Sequence, residues 1–287
     1  MKKKLLCLIM LIFLLTGCFK RDDMEDIKIY TTLYPVHYLI DSLYGDNSDI
    51  FSVYPSGIDI DNYEFTSKQL NEYSRSGLFV FNSKRDTERD LAVDLINKNK
   101  NLKIIDSALG VNYTYSTEEL WLNPYNYLMM AQNVKTGLEE YITNPYLIKE
   151  VDENYQSLKI SLSELDAELK EIVKSSEYDT IVVDNDSFSF LEKYGLNIIS
   201  LDNSNNQVTE KTISEVKLLL NRNKIKYIFS SSEEVNDIVT NLKDNYGATI
   251  SVLNTMKSID GGITNSNQSY LTIMKDNIDL IKKELYK

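Results

Sequence analysis

The chain has 287 residues, 43% of them hydrophobic and 26% charged, with 31 basic side chains against 43 acidic ones and a net charge of −12. That length is enough for two hydrophobic cores. The acidic balance argues against a nucleic-acid partner, because phosphate binding needs a basic face, and it attracts cations.

Residues 1–18 read as an export signal. Lys2, Lys3 and Lys4 form a basic leader, and residues 5–14 form an apolar run too short to span a bilayer. Leu15-Thr16-Gly17-Cys18 follows and resembles the lipobox of bacterial lipoproteins, in which the cysteine is acylated and becomes the new N-terminus. Residues 19–26 then read as a polar tether, and acyl chains on Cys18 hold the protein to a membrane surface. Loss of the three leader lysines takes the net charge from −12 to about −15. Cys7 leaves with the signal, so no thiolate remains for zinc or for nucleophilic catalysis. His37 is the single histidine, and its place beside Pro35 at a helix start suggests a surface or capping role. A histidine-rich zinc site is excluded.

The first lobe spans 27–144. Its strands are expected at 27–31, 49–53, 78–81 and 102–106, and its helices at 35–44, 67–73, 88–98 and 124–141. Residues 145–175 read as one long helix. Leu147, Ile148, Val151, Tyr155, Leu158, Leu162, Leu165, Leu169, Ile172 and Val173 recur at three- and four-residue steps. Asn144 suits the N-cap and Pro145 the first helical position. This helix is expected to be a rigid spine and the only connection between two lobes. The second lobe, 176–287, repeats the pattern. Its strands are expected at 180–183, 197–201, 225–229 and 249–253, and its helices at 187–194, 209–223, 233–245 and 270–285. Strand–helix alternation of this kind predicts an α/β fold of two lobes, each a parallel sheet flanked by helices.

Ligands of open parallel sheets bind beyond the carboxyl ends of the strands. The segments there carry acidic and amide side chains: Asp59, Asp61, Asn62 and Glu64 after the second strand, Glu118 and Glu119 before Trp121, Asp184, Asn185 and Asp186 after the fifth strand, and Asn254 after the last. They could furnish an oxygen-ligand site in one crevice, or they could be ordinary turn and cap residues.

Several segments resemble the metal-binding lipoproteins of bacterial zinc and manganese ABC transporters. They are Thr31-Thr32-Leu33-Tyr34-Pro35, the loop from Tyr54-Pro55-Ser56-Gly57 to Tyr63-Glu64 with Thr66-Ser67-Lys68, and Trp121-Leu122-Asn123-Pro124. Phe188 to Leu191 with Tyr194-Gly195-Leu196, Lys226-Tyr227-Ile228-Phe229, and Tyr270-Leu271 with Met274-Lys275 complete the set. No single motif is very specific; their order and spacing are. The resemblance implies two α/β lobes on a long helix and a divalent metal ion, manganese or zinc, carried as the transported ligand with no organic cofactor. It implies a non-enzymatic, monomeric, extracytoplasmic solute-binding protein that serves a membrane permease and an ATPase. The family's first two histidine positions fall on Asp61 and Glu119. The third falls on Asn185 if Phe188 is matched, or on Asp184 without a gap, and the fourth falls on Asn254. The histidine-rich loop of zinc-specialised members is missing. The implied metal site is therefore Asp61, Glu119, Asp184, Asn185 and Asn254. Such oxygen ligands suit Mn²⁺, Mg²⁺ or Ca²⁺ better than they favour zinc selectivity. The alternative is a diverged member that has lost metal binding and acts as an adhesin or interaction lipoprotein.

Overall fold

A computed structural model describes residues 21–55, 57–58, 60–204, 208–257 and 268–287. The expected export signal and Cys18 lie outside the described residues.

Strands β1 (Ile27–Thr31), β2 (Ser48–Ser52), β3 (Leu78–Phe81) and β4 (Lys103–Asp106) pair in parallel in the order β2-β1-β3-β4. Strands β5 (Thr180–Val183), β6 (Asn197–Ser200), β7 (Tyr227–Ser230) and β8 (Thr249–Val252) form a second parallel sheet in the equivalent order β6-β5-β7-β8. The inner strands are covered on both faces: every residue of Leu78-Phe79-Val80-Phe81 is buried, as are Ile181, Val182 and Val183. Near-continuous apolar strands are what two layers of helices demand. The edge strand β2 is largely exposed.

Around the first sheet run α1 (Tyr34–Tyr44), α2 (Ser67–Tyr73), α3 (Asp86–Lys98), α4 (Glu119–Leu122) and α5 (Pro124–Tyr141). The spine is α6 (Pro145–Lys174), 30 residues or about 45 Å long. Helices α7 (Glu210–Asn221), α8 (Asp237–Tyr246) and α9 (Tyr270–Leu285) belong to the second lobe. The α6 start is capped as its sequence implies, with Asn144 Oδ1 accepting from Tyr146 N at 3.0 Å. Asn123-Pro124-Tyr125 repeats the device at the start of α5 at 3.1 Å. Along α6, Leu147, Val151, Tyr155, Leu158, Leu162, Leu165, Leu169 and Ile172 are buried. The spine packs against α1, α5 and α9, so it touches both lobes. One hydrophobic cluster runs from Ile29 through Leu165 to Phe229. A second cluster, including Val182, Ile228, Val216 and Leu242, fills the space between the second sheet and α7 and α8.

Besides the spine, side-chain contacts join the lobes. Tyr270, at the start of α9, is fully buried and stacks on Tyr127 of α5 with ring centroids 4.0 Å apart. Its hydroxyl donates to the Trp121 carbonyl at 2.6 Å. In return the Trp121 indole donates to the Thr255 carbonyl at 2.7 Å. Aromatic side chains with a polar tip are suited to such a dry interface.

Other local expectations shift. Residues 21–26, expected as free tether, are docked. Met24 is fully buried, and Asp22 accepts from Thr143 N, Asn144 N and Thr143 Oγ1 at 2.6–2.8 Å. Asp186–Tyr194 winds as a 3₁₀ helix, whose three-residue period puts the buried Phe188 and Leu191 on one side. The helix expected from 233 starts at Asp237. Ser230 and Ser232 form a polar turn before it, and Asn236 caps it by accepting from Val239 N at 3.0 Å. His37 is half-buried rather than on the surface. Its Nδ1 lies 3.3 Å from Thr31 Oγ1, and burial lowers its pKa.

Candidate functional site

In both sheets the chain reverses its direction of travel between the first and third strands, and ligands of such sheets bind in a crevice beyond the carboxyl ends of the strands; here the two lobes meet across one crevice at Asp61 and Lys257. Asp61 enters it from the loop after β2. Both carboxylate oxygens are engaged by cations: Oδ1 by Arg85 Nη2 at 2.5 Å and Oδ2 by Lys257 Nζ at 2.6 Å. Burial would raise the Asp61 pKa, but the bonds from Lys257 and Arg85 outweigh it and hold the carboxyl below its usual range. Arg85 comes from the same lobe, at the N-cap of α3, whereas Lys257 reaches over from the second lobe. Lys257 Nζ also lies 4.0 Å from Glu118 Oε1.

The residue facing Asp61 through this ammonium is therefore Glu118. Its neighbour Glu119, the position implied by the resemblance, turns inward. It is buried, and its Oε2 accepts from Thr114 N at 2.8 Å and Tyr115 N at 3.3 Å. That carboxylate fixes the loop leading into α4.

In the second lobe, Asp184 follows β5 and accepts from Ser230 Oγ at 2.5 Å and from the Asn185 amide. Burial raises its pKa, against the pull of those two donors. Asn185 Oδ1 accepts from Ser187 N at 3.0 Å, which starts the 3₁₀ helix. Asn254 Oδ1 accepts from Met256 N at 2.8 Å, and its backbone is clamped by Asn277 at 2.8 and 2.9 Å. Each of the five expected ligands thus already has a protein donor on a side-chain oxygen. Among the described residues, no three His, Cys, Asp or Glu side chains gather into a group that could hold a metal ion.

Behind Asp61 the charge network continues inward. Arg85 Nε lies 3.0 Å from Glu88 Oε1, and Glu88 is fully buried. Glu88 Oε2 accepts from Asn82 N at 3.0 Å and from Thr32 Oγ1. Burial pushes Glu88 up to about 7, with Thr32, Arg85 and Asn82 pulling the other way. A further contact between the lobes runs from Lys193, which donates to Asn123 Oδ1, and burial lowers the Lys193 pKa to about 8. Sequence patterns did not single out Lys257, Arg85 or Lys193. Lys257 stands 196 residues from Asp61, so no local spacing could have revealed their pairing.

Two equivalent parallel sheets, one spine helix and a polar crevice between the lobes define a two-lobed α/β binding scaffold. The chain belongs to the ZnuA family, described as zinc-uptake complex component A, periplasmic, whose model matches residues 29–284. It is 20% identical over 319 residues to the zinc-binding protein AdcA of Streptococcus pyogenes serotype M1, covering 98% of this chain and 61% of AdcA. The chain therefore spans about three fifths of the length of that relative. It is 20% identical over 284 residues to the high-affinity zinc uptake system protein ZnuA of Bacillus subtilis, covering 91% of this chain and 88% of that protein. The crystal structure of the metal-dependent lipoprotein YcdH from Bacillus subtilis superposes with a TM-score of 0.75 at 18% identity, over 91% of this chain and all of that one. The fold expected from the sequence is the fold observed.

Proposed function

We propose that the chain is the extracytoplasmic, lipid-anchored solute-binding component of a metal ABC transporter. It captures a divalent cation, Mn²⁺ or Zn²⁺, between lobes 27–144 and 176–287 and passes it to a membrane permease driven by an ATPase. Residues 145–175 set the spacing of the lobes. The observation that carries this reading is the Asp61 carboxylate in the crevice, which already binds a cationic group from the opposite lobe. Family membership and the acidic net charge support it. Asp61 is the ligand the geometry favours. Glu119, Asp184 or Asn185, and Asn254 are the remaining family-equivalent positions, and Glu118 joins them as the carboxylate nearest Lys257. Acylated Cys18 would anchor the protein, and Cys18→Ala should release it from the membrane fraction.

The second reading is a diverged scaffold without metal binding, in which Arg85 and Lys257 neutralise Asp61 permanently. One experiment decides between them. Metal-stripped protein is titrated with Mn²⁺, Zn²⁺, Ca²⁺ and Mg²⁺ and followed by thermal melting and native mass spectrometry. An ion at a hundredfold excess over its Kd adds about 2.7 kcal/mol, a melting shift of roughly 5–10 °C for a chain of this size. Asp61→Ala should abolish the shift. An oxygen-ligand site should keep most of its affinity down to about pH 5, because carboxylates titrate near 4 and imidazole near 6.5. No shift and no bound ion with any of the four would leave the second reading.

A further inference from the structure

We propose that Lys257 is a tethered cation that occupies the cargo position at Asp61 and sets the affinity threshold for the arriving metal ion. The inference rests on the reading of the cleft as a divalent-cation site.

Three features support it. First, the ammonium lies between carboxylates, 2.6 Å from Asp61 and 4.0 Å from Glu118, as a bound cation would. Second, its approach is built rather than incidental. The preceding Met256 is fully buried and held at a φ of +57°, a left-handed conformation that is strained for a residue with a side chain and persists only where its surroundings impose it. Here Asn254 Oδ1 accepts from Met256 N, the Trp121 indole donates to the Thr255 carbonyl, and Asn277 clamps the Asn254 backbone on both sides. That strained turn directs Lys257 into the crevice. Third, the two cations on Asp61 are not equally removable. Arg85 is 9% exposed and tied to the buried Glu88, so it stays. Lys257 is 35% exposed on a flexible stem and can swing into water. An incoming divalent ion therefore displaces Lys257 from Asp61 Oδ2 while Arg85 keeps Oδ1. Only ions that bind carboxylate oxygen better than the tethered ammonium would load.

The test compares wild type with Lys257→Gln and Lys257→Arg, using Mn²⁺ and Zn²⁺ in calorimetric titration. Lys257→Gln should bind about tenfold more tightly, because it removes both the competing ion pair and the like charge. Lys257→Arg should stay near wild type, since it keeps the tethered charge. In parallel, acylation of lysines in the wild type is read by peptide mass spectrometry. Lys257 should be protected without metal, and should label several-fold faster with saturating Mn²⁺ or in Asp61→Asn. Equal affinity of wild type and Lys257→Gln for an ion that both bind would overturn the competitor role and leave the cation site standing. Binding that leaves Lys257 labelling unchanged would do the same. No binding by any of the three would fell the site reading and this proposal with it.

Discussion

Tyr270 Oη donates to the main-chain carbonyl of Trp121 at 2.6 Å, joining α9 of the second lobe to α4 of the first, 149 residues away. Both side chains are fully buried. The bond therefore sits in a dry seam between the two lobes.

Tyr270→Phe should keep the stack on Tyr127 and remove only this donor. A buried carbonyl left without its partner costs about 1–3 kcal/mol. Urea unfolding should show a lower midpoint at an unchanged slope, equivalent to that loss of stability. An unchanged midpoint would mean that the seam does not depend on this bond.

The spine can be probed on both of its faces. Leu162 is 1% exposed, so Leu162→Ala should cost about 2–5 kcal/mol as a core truncation. Ala167 is exposed on the same helix, so Ala167→Pro tests the backbone alone and should cost about 3 kcal/mol or more. Melting temperatures that match wild type would contradict a continuous, packed α6.

Glu88 makes stability depend on pH. Its folded pKa is raised to about 7 from an ordinary value near 4.5, so the folded state binds the proton more tightly. This contribution is fully present below about pH 4.5 and is lost as pH rises through about 7. The stability of wild type relative to Glu88→Gln should therefore fall across that window and level off on either side. A difference independent of pH between 4 and 8 would show that Glu88 does not titrate there.

Asp22 should behave in the opposite sense. Burial acts to raise its pKa, but hydrogen bonds from Thr143, Met24 and Asn144 outweigh it, and the folded value lies below 3.8. Its stabilisation is present above that ordinary value and is lost as pH falls through the lower, folded one. Asp22→Ala should cost about 2–4 kcal/mol at neutral pH, since bonds to a charged acceptor are worth more than neutral ones. The variant and wild type should converge in strong acid. Calorimetry at pH 7 and near pH 2 would check both statements, and equal stability at pH 7 would refute the docking of the segment.

The architecture was legible because it is built from local periodicity. The step pattern of Leu147 to Ile172 marks a helical face, and the Asn-Pro start marks its N-terminus. Apolar runs such as Ile181-Val182-Val183 mark strands covered on both sides. Burial of apolar area and satisfaction of main-chain groups act on neighbours in the chain, so residue order alone carries the information. The parallel pairing in both sheets follows from the same alternation, whereas their matching strand orders appear only in the tertiary structure.

The chemistry of the crevice was decided elsewhere. Glu118 and Glu119 differ by one position, yet one faces Lys257 and the other turns inward to hold Thr114 and Tyr115. On a helix, adjacent residues point about 100° apart, and only the packing of α4 determines which points out. The Asp61–Lys257 contact depends on the tyrosine seam between the lobes and on the left-handed turn at Met256. Sequence determined which oxygens and cations this protein possesses. Tertiary structure decided which of them meet, because a charge contact forms only between groups that long-range packing has brought within a few ångströms.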